Sequence, residues 1–435
     1  TSAFPLRLCA FAGNCRFAFA TINQRVMGYR FQRITTTDYS YLQPFLAQYP
    51  NYKRLSYRDF HDLYTKRCSG WHSNFAAHLP KLGYEAQDIC VNFEYLQKLW
   101  AKENGVEYNN DNWLKDIAAE QVKRFRPEVM FLDDLYVTGA DFRQFLREVS
   151  PNPVKIVGWR AAPTTDYSVL RDLDLVLTCT THFAKEMEDH GVKARVMMHG
   201  FEPSILDLIT PGTERTFDFT FMGSLILEQG FHNQRFQLVK TLVEKSRLEV
   251  WGRLSERNRS SRSKQLASRI TFRANRLLRD LDASDQLIAK VAEWDERYQR
   301  GPLTKDTLRQ HPGRFHPPVI ALDYFNLLAK SKISLNNHID CAAGYAGNIR
   351  LFEVTGMGAC LMTDWMINLS EMFEEDVEIV TYPNADECAE KATYLLDHPQ
   401  ELAAIAPAGQ RRTLRDHTYV NRVEQLDEIL KSVFV

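Results

Sequence analysis

Arg350 and Glu353 stand three positions apart in the run GYAGNIRLFEVTGMGACLMTD, from Gly344 to Asp364. On a helix that spacing puts both on one face. A guanidinium can grip a diphosphate as a fork, and a carboxylate can accept bonds from two ribose hydroxyls. The pattern predicts a helix from Ile349 to Thr355, entered through the Gly347-Asn348 turn and closed by Gly356-Met357-Gly358. Its first-turn N–H groups favour phosphate. Apolar runs flank it, Ile333-Ser334-Leu335 leading to Asn336-Asn337-His338, and Cys360-Leu361-Met362-Thr363. Strand, small-residue loop, helix and strand form the βαβ order of a parallel sheet, with a ligand crevice at the strand carboxyl ends. The plainer alternative is a surface ion pair on a short helix, which contributes little.

Further candidates sit where the chain leaves other predicted strands. Gly223-Ser224 follows Phe217 to Met222, where glycine lets the backbone approach a ligand and serine adds a donor. Arg253 follows Leu248 to Trp251 as a second phosphate-binding candidate. Asp133-Asp134 follows Val129 to Leu132; paired carboxylates could orient substrate hydroxyls or act as a base, or could cap a loop. Trp159-Arg160 follows Val154 to Val157, where the indole could stack on a sugar and the guanidinium bind an anion, or the two could simply pack together. His182 opens a helix as a cap or a base, and His199, at the end of Arg195 to Met198, either reaches a cleft or tightens a turn.

The elements that must position these residues alternate along the chain. The N-terminal half reads as strands Phe31 to Thr36, Tyr84 to Val91, Val129 to Leu132, Val154 to Val157 and Leu175 to Thr178, with helices between them. One helix is predicted over Ser69 to Leu79, and another is capped by Asp111, with Leu114, Ile117, Ala118, Val122 and Phe125 at helical spacing. Near-continuous apolar strands alternating with helices give an α/β class of doubly wound sheets covered on both faces. The 435 residues have length for two domains, and a net charge of −1 argues against a dominant nucleic-acid role. Eight cysteines without CxxC spacing read as reduced core thiols of a cytoplasmic protein. No run approaches the length of a membrane span, so any membrane contact would be peripheral. Residues 1–27, with three arginines and no acid, read as a leader or an extra segment. Residues 254–316 break the alternation and read as a helical insertion, with Arg269, Arg273 and Arg276 on one face.

From Pro317 to about Arg422 the chain resembles the C-terminal domain of GT-B glycosyltransferases, in the group-1-like branch that includes the spore-maturation-type enzymes. Leu335 to His338, Arg350 to Glu353, Thr355 to Gly358, Leu369 to Phe373, Val380 to Tyr382 and His417-Thr418-Tyr419 with Arg422 carry the likeness. The resemblance implies two Rossmann-like domains facing across a cleft. Residues 28–205 would take the acceptor, residues 206–419 the nucleotide-sugar donor, and a helix over 420–435 would cross back to the first domain. It also implies a glycosyltransferase without cofactor or metal, using a UDP-sugar or a GDP-sugar and an unidentified acceptor. In that frame Arg350, Glu353 and His338 are catalytic, with Glu353 on ribose and Arg350 and Arg253 on the diphosphate. Gly223-Ser224 and Gly347-Asn348 approach the phosphates, and Asn337-His338 the sugar. Asp133, Asp134, Trp159, Arg160 and His199 face the acceptor. One departure stands out: the Glu-x7-Glu pattern of retaining members has Tyr345 in place of its first Glu, leaving the stereochemical outcome open. Two alternatives share the architecture, a sugar-nucleotide 2-epimerase and a catalytically degenerate nucleotide-sugar-binding module.

Overall fold

The computed structural model describes residues 28–68, 74–162, 164, 166–210, 212–227, 233–252, 254–256, 301–302, 310–311, 313–338 and 342–434. Residues 1–27, Arg253 and the arginines at 269, 273 and 276 lie outside them. Among the described residues no helix is long and apolar enough to cross a membrane.

Two parallel six-stranded sheets carry the structure. The first contains β1 (Arg30–Thr35), β2 (Glu85–Cys90), β3 (Val129–Leu132), β4 (Lys155–Trp159), β5 (Leu175–Thr178) and β6 (Ala194–Val196), in the order β2-β1-β3-β4-β5-β6. All four residues of β3 and of β5 are buried, as expected of strands covered on both faces. The second sheet is built around β7 (Phe217–Met222). A short β8 (Leu225–Leu227) follows β7, and then come β9 (Leu248–Trp251), β10 (Leu254–Glu256), β11 (Gly301–Pro302) and β12 (Phe315–His316). The series ends with β13 (Ser331–Asn336), β14 (Cys360–Asp364) and β15 (Val380–Tyr382). The sheet order is β12-β9-β7-β13-β14-β15. From β7 the chain therefore winds outward one way to β9 and β12 and the other way to β13, β14 and β15. The carboxyl ends of β7 and β13 mark the switch point, where such sheets open a crevice.

Three local expectations need correction. The segment 254–316 is not helical at its described ends. Leu254–Glu256 pairs in parallel with β8 and antiparallel with β11, and Phe315–His316 extends the main sheet along β9. Strands this short carry no readable period, yet they satisfy the backbone groups of an otherwise open edge. The helix Trp113–Phe125 starts after Asn112, not Asp111. The helix Thr181–Asp189 is capped by Thr180, whose hydroxyl accepts from the Phe183 N–H, so His182 lies inside its first turn.

The chain passes between the domains at two adjacent points. Phe201 N donates to His417 O at 2.8 Å and Tyr419 N donates to Phe201 O at 2.9 Å. Beyond this bridge the helix Tyr419–Phe434 lies on the first sheet, burying Tyr419, Val423, Leu426 and Leu430 against Phe31, Val129, Phe131 and Leu177. Arg422 locks the joint, donating from Nε to His199 O at 2.8 Å and from Nη2 to His417 Nδ1 at 3.1 Å.

Close backbone approach sets the mouth of the crevice. Gly223 N donates to Trp251 O at 2.9 Å, and a Cβ on Gly252 would lie 1.9 Å from Gly223 O. Backbone cannot swing aside as a side chain can. Gly252→Ala is expected to cost about 1–3 kcal/mol, the range for forced overpacking, read as a lowered denaturation midpoint.

Candidate active site at the second switch point

The register assembles the site from distant sequence. Ile333 pairs with Phe219 and Ser334 with Thr220, so continuing the ladder sets Asn337 beside Gly223 and His338 beside Ser224. On the other side Asn336 pairs with Thr363, which sets Asn337 beside Asp364. The helix Arg350–Gly356 enters next to them. Arg350 Nη2 is 3.4 Å from the position a Cβ on Gly223 would take, and its guanidinium lies over the Phe221 ring at 5.6 Å. Its Nε is buried without a hydrogen-bond partner among the described residues.

Glu353, one turn on, is only 8% exposed and accepts from the Tyr324 hydroxyl at 2.7 Å. Burial pushes its carboxyl upward, against the opposing pull of the Tyr324 hydrogen bond and the Arg350 charge. The Tyr324 phenol is itself driven well above its ordinary range by burial and by the Glu353 charge. The site therefore presents a guanidinium and a carboxylate a turn apart, both adjoining Tyr324, which the sequence reading missed. Tyr324 lies 29 positions before Glu353, and only the packing of the helix Ala321–Ala329 reveals the pairing.

His338 is buried, and its Nδ1 lies 2.8 Å from Asp364 Oδ1. Asp364 is the second residue the sequence reading missed, and its signal was its place at the carboxyl end of β14. Asn337 is committed elsewhere than expected. Its Nδ2 donates to Asp364 Oδ2 at 3.2 Å and its oxygens accept from Arg235, so it braces the strand ends. The Gly347-Asn348 turn, expected near the phosphates, packs against the first domain. A Cβ on Gly347 would lie 2.7 Å from Cys179 Sγ and 2.9 Å from Thr180 Cγ2, so this glycine seats the loop against the first domain. Asn348 Nδ2 donates to Asn336 Oδ1 at 2.8 Å. Tyr345, the replacement for the missing Glu, stacks on His182 of the first domain with centroids 5.5 Å apart and planes 15° from parallel.

The residues expected on the acceptor side divide into two groups. Asp133, Trp159 and His199 line one pocket with Arg33, Phe131 and Tyr419. The Trp159 and His199 rings are 4.9 Å apart, and burial, reinforced by the Arg422 charge, lowers His199 to about 4, so it is neutral at neutral pH. Asp133, however, is taken up by Arg33, whose Nε and Nη2 donate to its Oδ2 at 3.0 and 2.5 Å. Of the roles left open for Asp133, a structural one is favoured by this pairing, which occupies its Oδ2. Asp134 ties its own loop by accepting from Thr36 Oγ1 and from the Tyr136 and Val137 N–H groups. Arg160 donates to Ala162 O and lies over Tyr136.

The chain is similar to known proteins in part of its sequence and in its fold. Residues 237–428 match a family model described as "Glycosyl transferase-like". Among solved structures, a glycosyltransferase from Rickettsia africae is similar over 93% of this chain and 98% of its own, with a TM-score of 0.52 at 12% identity. The fold is GT-B. A second solved structure, Anabaena HepE in complex with UDP-glucose, is similar over 93% of this chain and 100% of its own, with a TM-score of 0.51 at 10% identity. Sucrose-phosphate synthase from Thermosynechococcus elongatus gives 0.50 over 93% and 98% at 8% identity. Comparison with curated protein sequences gives no match. The matched residues include Arg350, Glu353, His338 and Asp364.

Proposed function

We propose that this GT-B chain transfers a sugar from a nucleoside-diphosphate donor, a UDP-sugar in the first instance, to a hydroxyl-bearing acceptor held against the first domain. The observation that carries this reading is Arg350, whose buried Nε has no hydrogen-bond partner among the described residues, set beside the Gly223 position at the switch point with Glu353 one turn on along the same helix. Arg350 would grip the diphosphate, Glu353 the ribose hydroxyls, and the Gly223-Ser224 turn would approach the phosphates. In transfer the acceptor oxygen bonds to the anomeric carbon and its proton passes to the departing diphosphate or to solvent, while the bond to the diphosphate breaks and leaves its electron pair on the departing oxygen. Charge grows on that oxygen in the transition state, so a cation fixed beforehand beside it lowers the barrier. The UDP-glucose in the HepE complex and the pocket at Trp159 and His199 support the two halves of this reading. The spore-maturation-type branch remains our assignment within the superfamily, resting on the motif order from Pro317 to Arg422.

The test is incubation with a panel of UDP-, GDP-, CDP- and dTDP-sugars. Nucleotide release with sugar transfer supports the reading. A changed sugar without release would make the protein an epimerase, and binding without turnover a binding module. Glu353→Gln keeps an oxygen for the Tyr324 hydroxyl yet loses the charge. It is expected to weaken UDP binding by about 1–3 kcal/mol, roughly five- to 150-fold in calorimetric Kd. An unchanged Kd would remove Glu353 from the donor site.

A further inference from the structure

Asp364 and His338 are 26 residues apart, yet the ladder between β13 and β14 makes them a unit. Four groups converge on the Asp364 carboxylate. The His338 backbone N–H donates at 3.0 and 3.1 Å to its two oxygens, His338 Nδ1 at 2.8 Å, Asn337 Nδ2 at 3.2 Å and Thr363 Oγ1 at 3.1 Å. A carboxylate only accepts, so Nδ1 carries a hydrogen, and in the neutral imidazole Nε2 is left with a lone pair. That Nε2 is buried without a hydrogen-bond partner among the described residues, on a side chain only 2% exposed. Orphaned acceptors are uncommon in folded proteins. Continuing the register sets His338, at the end of β13, beside Ser224, one position on from Gly223, whose own position Arg350 borders.

We propose that His338 Nε2 is the acceptor for one hydroxyl of the donor's sugar, and that Asp364 is a positioning residue which fixes the ring plane and the tautomer presenting that lone pair. The inference rests on the crevice being the donor site. Its consequence is specificity: one sugar position must carry an O–H. Fluorine or hydrogen there leaves Nε2 unpaired inside the complex, and a site built around a hydrogen bond rejects the analogue lacking it more strongly than a merely apolar pocket does. The same constraint orients the sugar relative to Arg350, which would otherwise hold only the diphosphate.

The experiment follows the ring nitrogens of His338 by ¹⁵N NMR in the full-length protein, alone, with UDP and with UDP-glucose. The free protein should show a protonated Nδ1 and a lone-pair Nε2. UDP should leave the Nε2 resonance in place, and UDP-glucose should shift it in the direction of an accepted hydrogen bond. In parallel, Kd is measured for the monodeoxyfluoro analogues of UDP-glucose. One analogue should bind roughly tenfold or more weakly than the others to the wild type, and His338→Ala should erase that difference while leaving UDP affinity within about twofold. Asp364→Asn should likewise keep UDP affinity, which shows that the donor domain is folded, and lower kcat/KM for the sugar donor. An Nε2 unmoved by UDP-glucose, or an analogue penalty equal in wild type and His338→Ala, would overturn the proposal. Failure of UDP itself to bind would instead overturn the donor-site reading, a separate result.

Discussion

Arg350→Met is expected to lower kcat/KM for the nucleotide-sugar donor by about 10²–10³-fold, or about 2.7–4 kcal/mol, with little change in the denaturation midpoint. Methionine keeps most of the side chain's bulk over Phe221 and removes only the charge and its fork of donors. The midpoint should change little, because the buried Arg350 Nε has no hydrogen bond to lose among the described residues. The loss should fall mainly on kcat, since the negative charge on the departing diphosphate is greatest in the transition state. Arg350→Lys should recover part of the rate, for it restores the charge but not the bidentate geometry. A folded Arg350→Met protein with kcat/KM within about threefold of wild type would place the diphosphate elsewhere.

The largest effect on stability should come from Arg33→Met. Arg33 sits in β1 with its side chain 1% exposed, bonded to Asp133 and 3.8 Å from Asp88, both of them buried. Removing the cation strands two carboxylates in the core, and breaking a buried pair costs about 3–5 kcal/mol. Part of that loss should be recovered on acidification, as the stranded carboxyls take up protons. Asp88→Asn should act in the opposite sense. Burial pushes the Asp88 carboxyl up to about 6, with Arg33 pulling it down and Asp133 pushing it further up. The folded protein therefore holds this proton to a higher pH than the unfolded chain, whose Asp titrates near about 3.9. The stability contributed by protonation is complete below the unfolded value and is lost as pH rises to about 6. Asp88→Asn, which leaves the Arg33–Asp133 pair intact, should stabilise the protein above about pH 6 by on the order of 1–3 kcal/mol, and should converge with wild type below about pH 4. Urea denaturation at several pH values measures both variants.

The same cluster shows where sequence reasoning ran short. Strands such as Leu175–Thr178, Phe217–Met222 and Leu248–Trp251 were legible to the residue, because parallel strands buried on both faces are nearly pure apolar runs. β1 and β2 read less sharply because Arg33 and Asp88 interrupt their apolar pattern, and their pairing across strands leaves no periodic trace. Asp133 looked like a candidate base for the same reason: nothing local announces that Arg33, 100 residues earlier, consumes its charge. Arg350 and Glu353 were visible because a single helix brings them together. Tyr324 and Asp364, which orient Glu353 and His338, were hidden because only sheet register and helix packing bring them near. Gly347 was visible as a glycine, but its reason, the press of Cys179 and Thr180, belongs to the other domain.

The paired crossings at Phe201 and at Thr418-Tyr419 have a mechanical consequence. Two struts lying side by side and bonded to each other act as one axle, with Phe201 seated so tightly against Gly356 that a Cβ there would come within 2.4 Å of the ring. Such a joint resists sliding and leaves rotation as its soft coordinate. Opening of the lobes would then have to part the Tyr345–His182 stack, whose rings belong to opposite domains, while Arg422 stays bonded at the joint.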